Sequence, residues 1–292
     1  MRNFKQLIAS LVLTFSVLGL HAQEASDGKS LLWKISGKDL KYPSYIYGTI
    51  HVICEDDFYL EDLVDEKFEE TSRLVLEIDL SSPNTQAVMM QNAYMTDGSN
   101  MRMLLDSATF AKTNRYFIDS VGFNLDQIGM LRPFMLTAML YPKLVGCTPV
   151  AYEQYFMDKA KELEIPIAGI ERIEDQLAIF EKIPYKDQAK SLADMVANMK
   201  QARKEFASLL AVYKSQDIQK AAAMIKESEE YKDFEDIMLT NRNKNWITPM
   251  IKHMKETPTF FAFGAAHLGG EEGVLNLLKA KGYTVTPLRE QE

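Results

Sequence analysis

The sequence predicts an α/β (α+β) fold: one mixed sheet carrying two equivalent strand-Gly-x-x-His turns, with a large helical insertion. Three observations carry this. Short apolar segments alternate with helical periodicity at both ends of the chain, the middle is almost wholly helical in pattern, and two strand ends repeat each other residue type by residue type. The expected organisation is a signal peptide over residues 1–22 and a single domain over 23–292. The helical insertion is expected at about residues 84–256.

At the start, Arg2 and Lys5 precede an apolar-to-neutral run over residues 7–20 and then His21-Ala22-Gln23. A basic start, a run shorter than the roughly 20 apolar residues of a membrane span and a small residue before a polar one describe a cleaved export signal. Cleavage is expected after Ala22, an uncleaved anchor being the alternative. The product is periplasmic or secreted, with no stable membrane span. Residues 1–22 hold two bases and no acid, so the 33 basic and 41 acidic residues of the whole chain become 31 and 41, net −10. An acidic chain is a poor partner for nucleic acid. Cys54 and Cys147 are the only cysteines. Export permits a disulfide between them, and a buried apolar Cys54 is the competing expectation.

Residues 31–35 and 45–47 are rich in aromatic and aliphatic residues around Gly37 and the Lys41-Tyr42-Pro43 turn, which suits a pair of hairpin-like strands. Leu60, Leu63, Val64 and Phe68 then mark one face of a helix over 60–71. The run RLVLEIDL (73–80) follows as a strand. Strand, helix, strand is a βαβ unit, whose natural product is a parallel pair. Helical pattern resumes over 84–161, broken at Asp97-Gly98, Arg132-Pro133 and residues 146–149. IPIAGI (165–170) is a buried strand, and a second helical tract covers 186–253, with breaks near Ser215-Gln216-Asp217 and Lys232-Asp233. A strand at 259–263, a helix at 271–281 and a strand at 283–287 complete the chain.

The repeat is the most informative feature. Tyr45-Ile46-Tyr47-Gly48-Thr49-Ile50-His51-Val52 matches Phe261-Ala262-Phe263-Gly264-Ala265-Ala266-His267-Leu268 as aromatic, apolar, aromatic, Gly, small, apolar, His, aliphatic. Ligands of open α/β sheets bind beyond the carboxyl ends of the strands, where both imidazoles would be delivered. Neutral imidazole is the commonest nitrogen ligand of a catalytic divalent ion. Of the other histidines, His21 lies in the signal and His253 ends a helix. Glu77 lies inside an otherwise apolar strand, where a carboxylate needs a partner or an ion; Asp79 can cap the following loop. Glu171 closes IPIAGI as a ligand, a general base or a pairing group, or merely as an acid at a helix start. Arg242, in Thr240-Asn241-Arg242-Asn243-Lys244-Asn245-Trp246, can clamp a substrate carboxylate or an oxyanion. Glu153 opens another helix and is a weaker candidate.

The expected metal ligands are therefore His51, His267 and Glu77, and the expected catalytic side chains Glu77, Glu171 and Arg242. The cofactor would be a divalent ion, Mn, Co or Zn. Such a site lowers the pKa of water and polarises a carbonyl, which is amide or ester hydrolysis without a protein nucleophile. No His-Glu-x-x-His helix and no Gly-x-Ser-x-Gly elbow is present. The alternative is a non-catalytic protein binding or sequestering a peptide, or haem through one His, in the same crevice.

These motifs together resemble the TraB/GumN/TIKI family. The resemblance rests on GTIHV (48–52), LVLEIDL (74–80), Asp97-Gly98 followed by residues 101–105, and Arg132-Pro133-Phe134. It continues through GIE (169–171), Asn241-Arg242-Asn243 with Trp246, and GAAHL (264–268) followed by Gly282-Tyr283-Thr284-Val285. It implies a sheet built round the two Gly-x-x-His motifs and divalent-metal-dependent peptide cleavage, as in the animal TIKI members, with a peptide or protein substrate. It carries over His51, Glu77, Arg242 and His267 as site residues, and with them Glu171. Where the family's helix start carries Asp this chain has Glu153, and Cys54 follows the first His motif.

Overall fold

The computed structural model describes residues 29–227 and 236–290. The export signal and the break near Lys232-Asp233 lie outside the described residues. Among the described residues eight strands form: β1 (Leu32–Ser36), β2 (Ser44–Thr49), β3 (Ile53–Cys54), β4 (Leu74–Leu76), β5 (Pro149–Val150), β6 (Ile167–Gly169), β7 (Phe260–Gly264) and β8 (Thr284–Leu288). Six make one mixed sheet in the order β6-β4-β7-β2-β1-β8, and β3 pairs with β5 as a separate antiparallel ladder.

The hairpin of β1 and β2 forms antiparallel as its residues suggest, and β8 closes the other edge of β1. In the parallel part the order differs from the simple βαβ expectation. β2 and β4 run parallel but do not touch, because β7 lies between them and pairs with both. The reason is hydrophobic. Phe260, Phe261, Ala262 and Phe263 are fully buried, so β7 needs cover on both faces and both edges, which only a central position supplies. Residues 60–71 give the helix Asp62–Glu69, which lays Val64 and Phe68 on the sheet. Phe68 meets Phe156 and Phe260, at 5.7 and 5.0 Å between ring centroids.

The strand expected over 73–80 is shorter than its alternation suggests. Pairing with β7 ends at Leu76, opposite Ala262. Beyond it the chain turns: the Leu80 amide donates to Ile78 O, and Asp79 Oδ1 accepts the Ser81 amide at 2.9 Å. Asp79 is the loop cap, and Glu77 is the first residue past the strand. The region 84–256 is mainly helical but is interrupted by β6, which returns to the sheet beside β4. Part of it builds its own apolar cluster, with Met101, Phe110, Phe117, Leu136, Leu140 and Leu192 at its centre. No helix among the described residues is long and apolar enough to cross a membrane.

Cys54 and Cys147 form a disulfide, so the buried-filler expectation for Cys54 does not hold. The bond lies at the β3–β5 ladder and fastens the segment after His51 to the segment before the helix Tyr152–Glu162. The two cysteines are 93 residues apart, and a cross-link over a loop of that size lowers the entropy of the unfolded chain. Cys54→Ser with Cys147→Ser is expected to cost about 2–4 kcal/mol. Urea unfolding of the oxidised and the double-variant protein measures it, and equal midpoints would remove the disulfide from the account of stability.

Candidate active site at two paired glycine turns

The register of β2 on β7 sets Gly48 beside Phe263 and Thr49 beside Gly264. The two Gly-x-x-His turns therefore leave adjacent strands at the same end of the sheet. Gly48 is required by close packing: a Cβ there would stand 3.2 Å from both Cα and Cβ of Ala265, in the first turn of the second motif. Gly264 is the floor of the site. A Cβ on it would meet Glu77 Oε1 at 3.2 Å, His267 Cδ2 at 3.6 Å and His51 Nε2 at 3.8 Å. The absent side chain leaves a cradle onto which two imidazoles and a carboxylate converge.

Each histidine is fixed through its Nδ1. In the short helix Ala265–Leu268, His267 is buried and its Nδ1 lies 2.6 Å from Asn243 Oδ1. Asn243 spends its amide hydrogens on Glu272 O at 2.9 Å, which turns its oxygen to the ring. The proton then sits on His267 Nδ1, and the lone pair on Nε2. At the mouth, His51 Nδ1 is 2.9 Å from Glu153 Oε1, which also accepts the Thr49 hydroxyl at 2.7 Å. Glu153 lies in the first turn of the helix Tyr152–Glu162. The His51 side chain is 68% exposed.

Between the carboxylates lies Arg242, on the helix Asn241–Glu256. Its Nη2 donates to Glu77 Oε2 at 2.6 Å and to Glu171, and its Nε to Glu171 Oε1 at 3.0 Å. Its Nη1 donates to Met238 O at 3.0 Å and to His267 Nε2 at 3.2 Å. All five N–H groups of the guanidinium are thus engaged. Glu171 also receives Trp246 Nε1 at 3.0 Å and Gln176 Nε2 at 2.7 Å, and Glu77 Oε1 receives the Gly264 amide at 2.9 Å. The Trp246 ring packs on His267, with centroids 4.4 Å apart.

Burial opposes ionisation of Glu77, but its carboxyl is held far below the usual range by the surrounding cations and the Gly264 amide. With His267 neutral, the guanidinium of Arg242 is the cation that matters. Burial pushes His267 down to about 3 against the attraction of Glu77, with Arg242 adding to the fall. For His51 desolvation also opposes the charge, but the hydrogen bond and charge of Glu153, then Glu77, outweigh it and raise the ring to about 9. Because that ring faces solvent, water screens part of the pull. Glu77, Glu171 and Arg242 together leave one negative charge in a buried setting.

The structure brings Glu77, Glu171, Arg242, His51 and His267 into one cluster. His267 Nε2 and Glu77 Oε1 are 3.8 Å apart. No three His, Cys, Asp or Glu side chains among the described residues already surround one point as a metal shell. The donor set nonetheless suits a divalent ion: two imidazoles whose Nδ1 protons are committed, a carboxylate oxygen beside them, and a floor with no side chain. Sequence reasoning ranked Glu153 too low and missed Thr49, Gln176 and the anchoring role of Asn243. The polar run at 240–246 was the available signal for Asn243. A carboxylate in a first helical turn gives no such signal.

Acid should act on His267 in a defined direction. The folded protein keeps it neutral down to about pH 3, whereas the unfolded chain protonates it near 6.5. Between those values the unfolded state binds the extra proton, so stability falls as pH falls. In metal-free protein, the advantage of the wild type over His267→Gln is expected to shrink by about 1–2 kcal/mol from pH 7.5 to 5. Urea midpoints at the two pH values measure this, and a constant difference would contradict a neutral buried His267.

Over residues 31–287 the chain matches the model of the TraB/PrgY/gumN family. It is 21% identical to "Metalloprotease TIKI2" of Danio rerio, over 91% of this chain and 62% of that protein. It is 22% identical to "Metalloprotease TIKI homolog" of Amphimedon queenslandica, over 99% and 67%, and 18% identical to "Metalloprotease TIKI1" of Danio rerio, over 89% and 63%. The chain thus spans roughly two thirds of the length of these relatives. No solved structure matches it. With nearly the whole described chain matched, the protein belongs to the TraB/PrgY/gumN family.

Proposed function

We propose that this protein is an exported, divalent-metal-dependent hydrolase that cleaves peptide bonds. The observation that carries the reading is the pair of imidazoles that meet at the Gly264 floor beside Glu77, each with Nδ1 committed to a fixed acceptor; His51 turns Nε2 to the floor, and His267 Nε2, 3.8 Å from Glu77 Oε1, would exchange its Arg242 contact for the ion. His51, His267 and Glu77 would hold the ion, of which Mn, Co and Zn suit the donors. When bound, it supplies a Lewis acid and lowers the pKa of water toward neutrality. The choice of peptide bonds follows the metalloprotease names of the similar animal and sponge proteins.

The chain's own residues divide the remaining work. Arg242 is a positioning residue: with all its donors engaged, it keeps Glu77 ionised and aimed rather than clamping a substrate group. Glu171, which receives Arg242, Trp246 and Gln176, anchors Arg242. Glu153 holds the His51 ring by its Nδ1, on the edge away from the Gly264 floor, and so orients it; the carboxylate beside that floor is Glu77. Export is supported by the basic start, the apolar run over 7–20 and the Cys54–Cys147 disulfide.

The mature protein should cleave members of a peptide library, lose that activity to a chelator and regain it with Mn, Co or Zn. His51→Ala and His267→Ala should each lower kcat/KM by at least about a hundredfold, with loss of bound metal by elemental analysis. Undiminished cleavage in both variants would refute the reading. Tight peptide binding without turnover in metal-loaded wild type would favour sequestration instead. Export predicts a mature N-terminus at Gln23, and an exported chain whose intact mass still includes residues 1–22 would count against cleavage there.

A further inference from the structure

Beside the first glycine turn lies a cavity of about 360 Å³ that none of the residues assigned above to the chemistry lines. Its wall joins aliphatic side chains, Leu31 and Val64 among them, to the aromatic Tyr47, Phe58, Tyr152 and Tyr213. Tyr152 is the hub, stacked on Phe58 with centroids 4.5 Å apart and tilted against Tyr47 and Tyr213 at 5.7 Å each. The rim is acidic, with Asp56, Asp57 and Glu61 against a single base, Lys214. Lys214 is already paired with Asp57. Glu61 accepts a hydrogen bond from the neutral amide of Gln216 at 2.9 Å. Asp56 and Glu61 therefore have no cationic partner among the described residues.

Aromatic rings in one cavity with uncompensated carboxylates select charge of one sign. A cation gains from the ring quadrupoles and from the carboxylates together, whereas an anion is repelled by both. The cavity is also tied to the site. Tyr47 immediately precedes Gly48, and the Tyr213 hydroxyl donates to Gly48 O at 3.2 Å. Tyr152 immediately precedes Glu153, the partner of His51. A group seated here thus lies beside the first glycine turn, which leads to His51.

We propose that this cavity binds the cationic side chain, Lys or Arg, of a peptide lying across the His51 side of the site. The identity of the ligand as a peptide rests on the reading of the preceding subsection; the sign of its charge rests on the cavity alone. Arginine suits the walls best, since its planar guanidinium stacks on aromatic rings while donating to carboxylates.

The test measures binding separately from cleavage. The mature protein, treated with chelator, is titrated with acetyl-Ala-Ala-Arg-Ala-Ala-amide and with the same peptide carrying citrulline, which keeps the shape and removes the charge. The arginine peptide is expected to bind about tenfold more tightly, with the advantage shrinking as salt rises from roughly 0.05 to roughly 0.5 M. In Asp56→Asn with Glu61→Gln the two peptides should bind within about twofold of each other, citrulline affinity being unchanged. Equal binding of the two peptides by the wild type, or an undiminished preference in the double variant, would overturn the proposal. In His267→Ala the preference should persist. Persistence of the preference in a wild type that cleaves nothing would still support the cavity while removing the peptidase reading.

Discussion

The parallel pairing of β2 with β7 is the constraint on which the site depends. Because Thr49 faces Gly264 across the ladder, the two glycine motifs leave the same end of neighbouring strands staggered by a single residue. A shift of one residue would send the side chains of one strand to the opposite face. The close approach of Gly48 to Ala265 opposes such a shift, since any side chain there would crowd the second motif. The glycines thus do more than permit a turn. One lets the second motif pack against the first, and the other leaves the floor open.

Around that floor the charges are arranged so that each buried group has a reason to stay in its state. Two buried carboxylates are tolerable because one guanidinium spans them and every one of its donors is used. His267 stays neutral because burial and that same guanidinium oppose a second positive charge. His51, at the mouth, has a carboxylate partner and solvent, and tends the opposite way. Two histidines alike in sequence context therefore differ in environment, one dry and fixed by an amide, the other wet and fixed by an acid.

Much of this was legible in the residues. The short apolar runs at 165–170 and 259–263 are strands, and the RLVLEIDL run places Glu77 at the end of one. The repeated turn brought both histidines and the two strand-end carboxylates into view. What escaped has physical causes. Alternation continues through Ile78 and Leu80 although the chain has already turned, because a capped loop imposes no pattern of its own. Local periodicity cannot say that a strand from the end of the chain separates β2 from β4. Glu153 sits where an acid is favourable at any helix start, so its tie to His51 is visible only once β3 and β5 pair. Two cysteines 93 residues apart are equally mute until the fold brings them together.

The interposed β7 also orders events in time. Synthesis delivers β2, β4 and β6 long before residues 260–264, so the parallel half of the sheet waits with its central place open. Until then β2 and β4 present unpaired edges, and the apolar faces meant for Phe260, Phe261 and Phe263 lack their partner. Pairings of such sequence separation close slowly. The same late strand leads directly into His267. Completion of the core and assembly of the cradle therefore both wait on the same strand.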